Sequence, residues 1–312
     1  MLEIHSIKKY LVKTALFFFL LLHTIASQAI IMRHDTDRDQ YLLDPYDYQS
    51  AINAAGDNRA PNLCSATLIT PRWVLTAAHC IDGKLGQSVS KFGKLTILGE
   101  LIAIKKFHSH PAYEKNIHDI ALIELHEPIY SIQPTPPYEG SDEQGATLKL
   151  AGYGDIGNPV EGLYPFNEPL PLRGADNVAS LVNKYHLGFI FENPADDNSL
   201  PLEGVSGPGD SGGPAYIETG AGRYIAGVSS NGNWRYGDFD YYTRVSQELG
   251  WIKEVMKEEY PGDYSGPLYS EVENHDIVPD YDSGGGSSNP VHLLFIGLLW
   301  LFARHRIIKS SK

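Results

Sequence analysis

The chain has 312 residues, 42% hydrophobic and 20% charged, enough for one large or two modest globular domains and too apolar for wholesale disorder. Thirty Gly and 20 Pro favour short strands and turns over long helices, and only two cysteines exclude a small disulfide scaffold or a cysteine-rich metal site. The net charge is −13; residues 1–29 carry +2 and residues 290–312 carry +4, which leaves −19 on residues 30–289, a surface that repels phosphate backbones and argues against nucleic-acid binding.

Residues 1–29 have the three parts of a secretory signal. Lys8, Lys9 and Lys13 form a basic start, residues 15–22 an apolar run, and Ala26, Ser27 and Ala29 a small-residue end. Ser27 and Ala29 fit cleavage before Ile30, and Ala26 offers an earlier site. The run is short for a membrane span, so a cleaved signal is the expectation, and signal peptidase is the processing partner it implies. Export in turn permits a disulfide.

Asp35-x-Asp37-x-Asp39 imitates the start of a calcium loop, but Gln40 and Tyr46 stand where glycine and glutamate are required. In residues 62–82, two apolar strands at 66–69 and 73–75 flank the turn Thr70-Pro71-Arg72. The second strand runs into Thr76-Ala77-Ala78-His79-Cys80, where small neighbours let other backbone segments approach the imidazole. His108 and His110 sit two apart near a strand end; with no third ligand nearby in sequence they read as surface residues.

Asp119 stands just before an apolar strand at 120–125. In Gly207-Pro-Gly-Asp-Ser-Gly-Gly-Pro214, Ser211 lies on a glycine-rich loop that can bend and leave it uncovered. Gly-Asp-Ser-Gly-Gly also fits a nucleophile elbow, but that fold needs its histidine after the serine, and the later histidines, His275, His292 and His305, fall in the tail. In residues 246–257, Leu249, Ile252 and Val255 have near-helical spacing and predict a packing helix.

Residues 259–289 are acidic and end in Ser283-Gly-Gly-Gly-Ser-Ser288, a flexible linker. Residues 291–302 are apolar, and Arg304, Arg306, Lys309 and Lys312 follow. Glycine run, short hydrophobic segment and basic tail resemble the GlyGly-CTERM sorting tag of exported bacterial proteins. The resemblance implies a Gram-negative source, transient membrane association through residues 291–302, and cleavage near the glycines by a rhomboid-type protease. A permanent anchor is the other reading.

Residues 76–80, 119–122 and 209–214, in the order His, Asp, Ser, resemble the trypsin-like (chymotrypsin-fold) serine proteases, over roughly residues 30–258. The resemblance implies an all-β fold of two six-stranded antiparallel β-barrels with a short C-terminal helix. It implies a secreted serine endopeptidase acting on proteins or peptides through an acyl-enzyme, without cofactor or metal. His79 would be the general base, Asp119 its orienting partner and Ser211 the nucleophile, with the N–H groups of Gly209 and Ser211 as the oxyanion hole. Cys64 and Cys80 match the family's histidine-loop disulfide. The different-class alternative is a catalytically silent, surface-displayed binding protein on the same fold.

The family's pocket base lies six residues before the nucleophile, at Val205, which argues against a preference for Lys or Arg. The opposite wall is expected from residues 227–231, with Ser229 binding the substrate backbone. Asp240 falls where many members have glycine; its carboxylate either holds a basic side chain or sits in a salt-bridged loop. Zymogen activation in the family pairs a new N-terminal amino group with the Asp before the nucleophile. Here that implies Ile30 and Asp210, although Met32-Arg33 replaces the usual two glycines.

Overall fold

The computed structural model describes residues 30–54, 64–82, 94–97, 100–164 and 171–256. The expected signal (1–29), linker (259–289) and sorting tag (290–312) lie outside them. Among the described residues no helix is long and apolar enough to cross a membrane.

The strands, in chain order, are β1 (Ile31–Met32), β2 (Ala51–Asn53), β3 (Ser65–Thr70), β4 (Trp73–Thr76), β5 (Lys94–Ile97), β6 (Glu100–Ser109), β7 (Ala121–Leu125) and β8 (Thr147–Gly152). They continue with β9 (Gly157–Asn158), β10 (Gly162–Leu163), β11 (Arg173–Val182), β12 (His186–Ile190), β13 (Gly204–Val205), β14 (Pro214–Thr219), β15 (Gly222–Gly232) and β16 (Phe239–Arg244). Helix α1 (Val245–Met256) follows at once.

Local chemistry sets the turns. Pro71 pre-sets the backbone between β3 and β4, and Thr70 Oγ1 accepts from the N–H groups of Arg72 and Trp73 at 3.3 and 3.2 Å. The strands then form two antiparallel six-stranded units, in the orders β2-β3-β4-β7-β6-β5 and β11-β12-β16-β15-β14-β8. The second is hydrogen-bonded all the way round; the first curls until its edge strands β2 and β5 lie side by side. This is the expected two-barrel fold. Leu68, Leu75, Leu95 and Leu122 fill the first barrel, and Leu150, Phe189, Ala215 and Tyr242 fill the second. Each such side chain stabilises the fold by ~1.5–3 kcal/mol when fully buried.

Two features were not expected. Four two-residue strands form a small sheet, β10-β9-β1-β13, in which Ile31 faces Val205. It ties the start of the described chain to the segment leading into Ser211. Helix α1 buries Val245, Glu248, Ile252 and Met256, while Leu249 and Val255 stay half-buried. The stripe is turned by one residue from the expected one, and a glutamate lies on it.

Candidate active site

Strand β4 ends in a 3-10 turn, Ala78–Cys80, that carries His79. Ala77 and Ala78 are fully buried, so a larger residue would push the imidazole off its support. The Cys64–Cys80 disulfide fastens this turn to the start of β3 across 16 residues, a closure worth ~3 kcal/mol in the chain-entropy model. Asp119 is 1% exposed at the entrance to β7. Its Oδ1 accepts from the backbone N–H of His79 at 2.9 Å, and its Oδ2 lies 2.7 Å from His79 Nδ1. Ser230 Oγ donates to the same Oδ2 at 2.6 Å, and Thr243 Oγ1 donates to the Asp119 carbonyl at 2.9 Å. The carboxylate is thus fixed from both barrels and aims at one imidazole nitrogen.

Ser211 arrives from the second barrel. Its carbonyl oxygen accepts the N–H of Ser65 at 2.8 Å and lies 3.5 Å from Cys80 Sγ, next door to His79 in the chain. Ser65 Oγ also donates to the Gly209 carbonyl at 3.2 Å. Gly209 has φ 91°, a conformation that an L side chain resists. Among the described residues, the N–H groups of Gly209 and Ser211 make no hydrogen bond to the protein. Two convergent free donors beside a serine can hold a developing oxyanion.

Gly154 closes the back of this loop. A Cβ there would fall 2.5 Å from Gly209 C and from Pro208 O, and closer still to Asp210 N, all backbone atoms. Gly154→Ala should therefore lower unfolding free energy by ~1–3 kcal/mol. It should also cut turnover, because the displaced atoms shape the Ser211 loop. Denaturant midpoints and kcat measured together check this; a less stable protein with wild-type kcat would show that the two are not linked.

Asp210 is 0% exposed. Its Oδ2 accepts from the backbone N atoms of Ile30 and Gly207, both at 2.8 Å, and its Oδ1 from Gly154 N at 2.8 Å. Burial pushes its pKa up to about 6 against these donors. The structure thus brings together the two residues anticipated as an activation pair, with Ile30 also fully buried.

Asp240 is fully buried too, and it is not in a salt-bridged surface loop. Its two oxygens accept from Ser206 N at 2.7 Å and Ser206 Oγ at 2.9 Å, and among the described residues no Lys or Arg pairs with it. Burial drives its pKa up to about 7. Gly232 pairs with Asp240 across β15 and β16, and a Cβ at Gly232 would overlap the carboxylate. Val205, beside Ser206, packs with Ile31 and Phe191 in a small apolar cluster.

Ser229 requires a correction. Its N–H donates to the Gly213 carbonyl at 2.9 Å and its own carbonyl accepts from Gly212 N at 2.8 Å, so its backbone is tied to the Ser211 loop. A bulge in β15 between Ser229 and Asn231 moves the alternation by one. Ser230, not Ser229, therefore faces Asp119. Sequence reading missed Ser230, Ser65, Gly154 and Ser206; the doubled serine at 229–230 was the one signal present, with no way to choose between its members.

The comparisons agree with this geometry. A family model described as Trypsin matches residues 43–252. Trypsin 5G1 of Aedes aegypti is 28% identical over 232 residues, covering 67% of this chain and 79% of the relative. Trypsin Tyr p 3.0101 of Tyrophagus putrescentiae is 33% identical over 220 residues, covering 63% and 73%. Phenoloxidase-activating factor 3 of Holotrichia diomphalia is 30% identical over 230 residues, covering 62% and 64%. Two barrels, a buried Asp–His pair and a Ser loop at their junction, with a family match across most of the described chain, make this protein a member of the trypsin family and a serine endopeptidase.

Proposed function

We propose that the chain is exported and cleaves proteins or peptides after Arg or Lys through an acyl-enzyme on Ser211. His79 takes the Ser211 proton and returns it to the leaving amine, while Asp119 holds the imidazole tautomer and stabilises the imidazolium. The N–H groups of Gly209 and Ser211 bind the oxyanion, each worth ~3–4 kcal/mol in the transition state. The observation that carries this reading is the paired geometry at Asp119, whose carboxylate holds both the backbone N–H and the Nδ1 of His79 and accepts from Ser230 Oγ. A fluorophosphonate probe should label the exported protein at Ser211, located by peptide mapping. An unlabelled, folded protein would instead support the silent binding protein.

The basic specificity rests on Asp240. A buried carboxylate that, among the described residues, has neutral hydrogen-bond donors and no Lys or Arg beside it is costly unless a cation completes it. Val205 supplies an apolar floor beside it, and the charge comes from the opposite wall.

Activation follows from the Ile30–Asp210 contact. Signal removal before Ile30 would turn a neutral peptide N–H into an ammonium 2.8 Å from Asp210 Oδ2. That charge would offset the burial that now raises Asp210. We expect the active enzyme to begin at Ile30 and Asp210→Asn to lose ~10²-fold or more in turnover, since the oxyanion loop loses its tether. The amino group, ordinarily near ~8, is raised by the carboxylate, so activity should fall as pH climbs through that raised value. N-terminal sequencing and a pH–rate profile check both; an active enzyme starting at Ser27 would exclude the mechanism. The acidic linker and the 290–312 tag would then hold the enzyme at the membrane until a rhomboid-type protease releases it.

A further inference from the structure

His110 and His118 are not surface residues. His110 follows β6, His118 directly precedes Asp119, and both turn toward Glu248 of α1. Glu248 Oε1 lies 2.8 Å from His118 Nδ1, and Oε2 lies 3.4 Å from His110 Nε2. The side chains are 24%, 10% and 2% exposed for His118, His110 and Glu248, so the carboxylate is buried and the two imidazoles lie over its oxygens. The rings stack with centroids 4.4 Å apart and planes 10° apart. Trp251 meets the edge of His110, and Tyr185 meets the edge of His118. One ligand atom from each of the three residues lies within 4.8 Å of the others.

We propose that His110, His118 and Glu248 form a binding site for one zinc ion whose occupancy turns the protease down. Two imidazoles, one carboxylate and an open fourth position for water are a ligand set that zinc takes. The hard, oxygen-preferring cations have too few oxygens here.

The same geometry supplies the switch. Nearly parallel rings direct their in-plane lone pairs side by side, so they converge on one ion only if one ring turns. His118 is the ring free to do so: it sits on a loop at φ 53°, a left-handed conformation costly for a residue with a Cβ. Its N–H proton, now facing Glu248, shifts to the outer ring nitrogen as the ion takes the inner one. An ion that draws His118 toward Glu248 and His110 pulls on a strained residue that shares a peptide bond with Asp119. Asp119 in turn carries both bonds that orient His79. Zinc should therefore lower kcat and leave KM unchanged. The inhibition rests on the catalytic reading above; the binding does not.

The test separates them. The full-length Ser211→Ala protein, titrated with zinc chloride by calorimetry, should show one saturable site. His110→Gln should weaken it by more than ~100-fold, beyond the cost of losing an outer partner. His118→Asn should do the same, and guards against a His110 variant that fails to fold. Cobalt in place of zinc should give the visible absorption of a four-coordinate site, absent in either variant. In the active enzyme, zinc should reduce kcat, reversibly with a chelator, and His110→Gln should resist it. Zinc binding unchanged by both substitutions places the ion elsewhere and overturns the site. Binding as expected without inhibition overturns the switch. Binding as expected by a wild type that hydrolyses nothing leaves the site standing and rejects the hydrolase reading.

Discussion

Ser211→Ala should fold normally and lose peptide hydrolysis by ~10⁴-fold or more. The change removes one oxygen and leaves the loop's attachments intact. The Ser65 N–H still reaches the residue 211 carbonyl, and Asp210 keeps its three backbone donors. What disappears is the oxygen proposed to form the acyl-enzyme. His79→Ala should lose about as much, and the double variant little more, because nucleophile and base act as one unit. Active-site-titrated kcat/KM on a peptide amide, with circular dichroism for the fold, decides it. Turnover within tenfold of wild type would mean that another group performs the chemistry.

Asp240→Asn should erase the preference for Arg and Lys over apolar side chains by ~2–5 kcal/mol, a factor of roughly 30 to several thousand. The asparagine oxygen can still accept from Ser206 N, its amide can donate to Ser206 Oγ with that bond reversed, and the charge is lost. Wild type should show a pH signature in the ratio of kcat/KM for an arginyl substrate to that for an apolar one. The triad contributes equally to both and cancels. Burial raises Asp240 to about 7, so the ratio should climb as pH rises through that value and stay flat in the variant. Stability carries the opposite sign. The folded pKa lies above the ordinary 3.8, so the folded protein binds the extra proton. This contribution is complete below the ordinary value and is lost as pH rises through about 7. Asp240→Asn should accordingly melt higher than wild type at alkaline pH. A wild-type cleavage profile dominated by apolar residues would remove Asp240 from substrate recognition.

Residues whose roles depend on neighbours in the chain were legible in advance. His79, Asp119 and Ser211 each sit in a short motif, and the resemblance those motifs carry implied the two barrels. Contacts across the barrels were not legible. Ser65 and Gly154 look like ordinary strand and turn residues until the Ser211 loop is laid over them. Ser229 and Ser230 are neighbours that nothing local distinguishes, and a bulge in β15 turns Ser230 toward Asp119. The helix was phased on Leu249 and Val255, which hid Glu248 on the buried stripe. His110 was judged without its partners, since His118 reaches it by ring stacking and Glu248 arrives from far along the chain. Strands as short as β1, β9, β10 and β13 carry no periodicity to read.

The junction at Asp119 also governs how this enzyme can die. Its carboxylate is held by residues 40 and 111 positions away and its carbonyl by one 124 away, and the Ser211 loop is anchored to Ser65 and Ile30, further still. Pairings of such sequence separation form late and slowly during folding, so a chain that opens does not close again quickly. Every opened copy is a length of extended polypeptide in a solution of intact endopeptidase. Cleavage outruns reclosing under those conditions, and the loss becomes irreversible. The working lifetime is then set by the height of the unfolding barrier and by enzyme concentration, and hardly at all by equilibrium stability. Concentrated enzyme should decay faster than dilute enzyme at the same temperature, with the ties between the barrels acting as the clock.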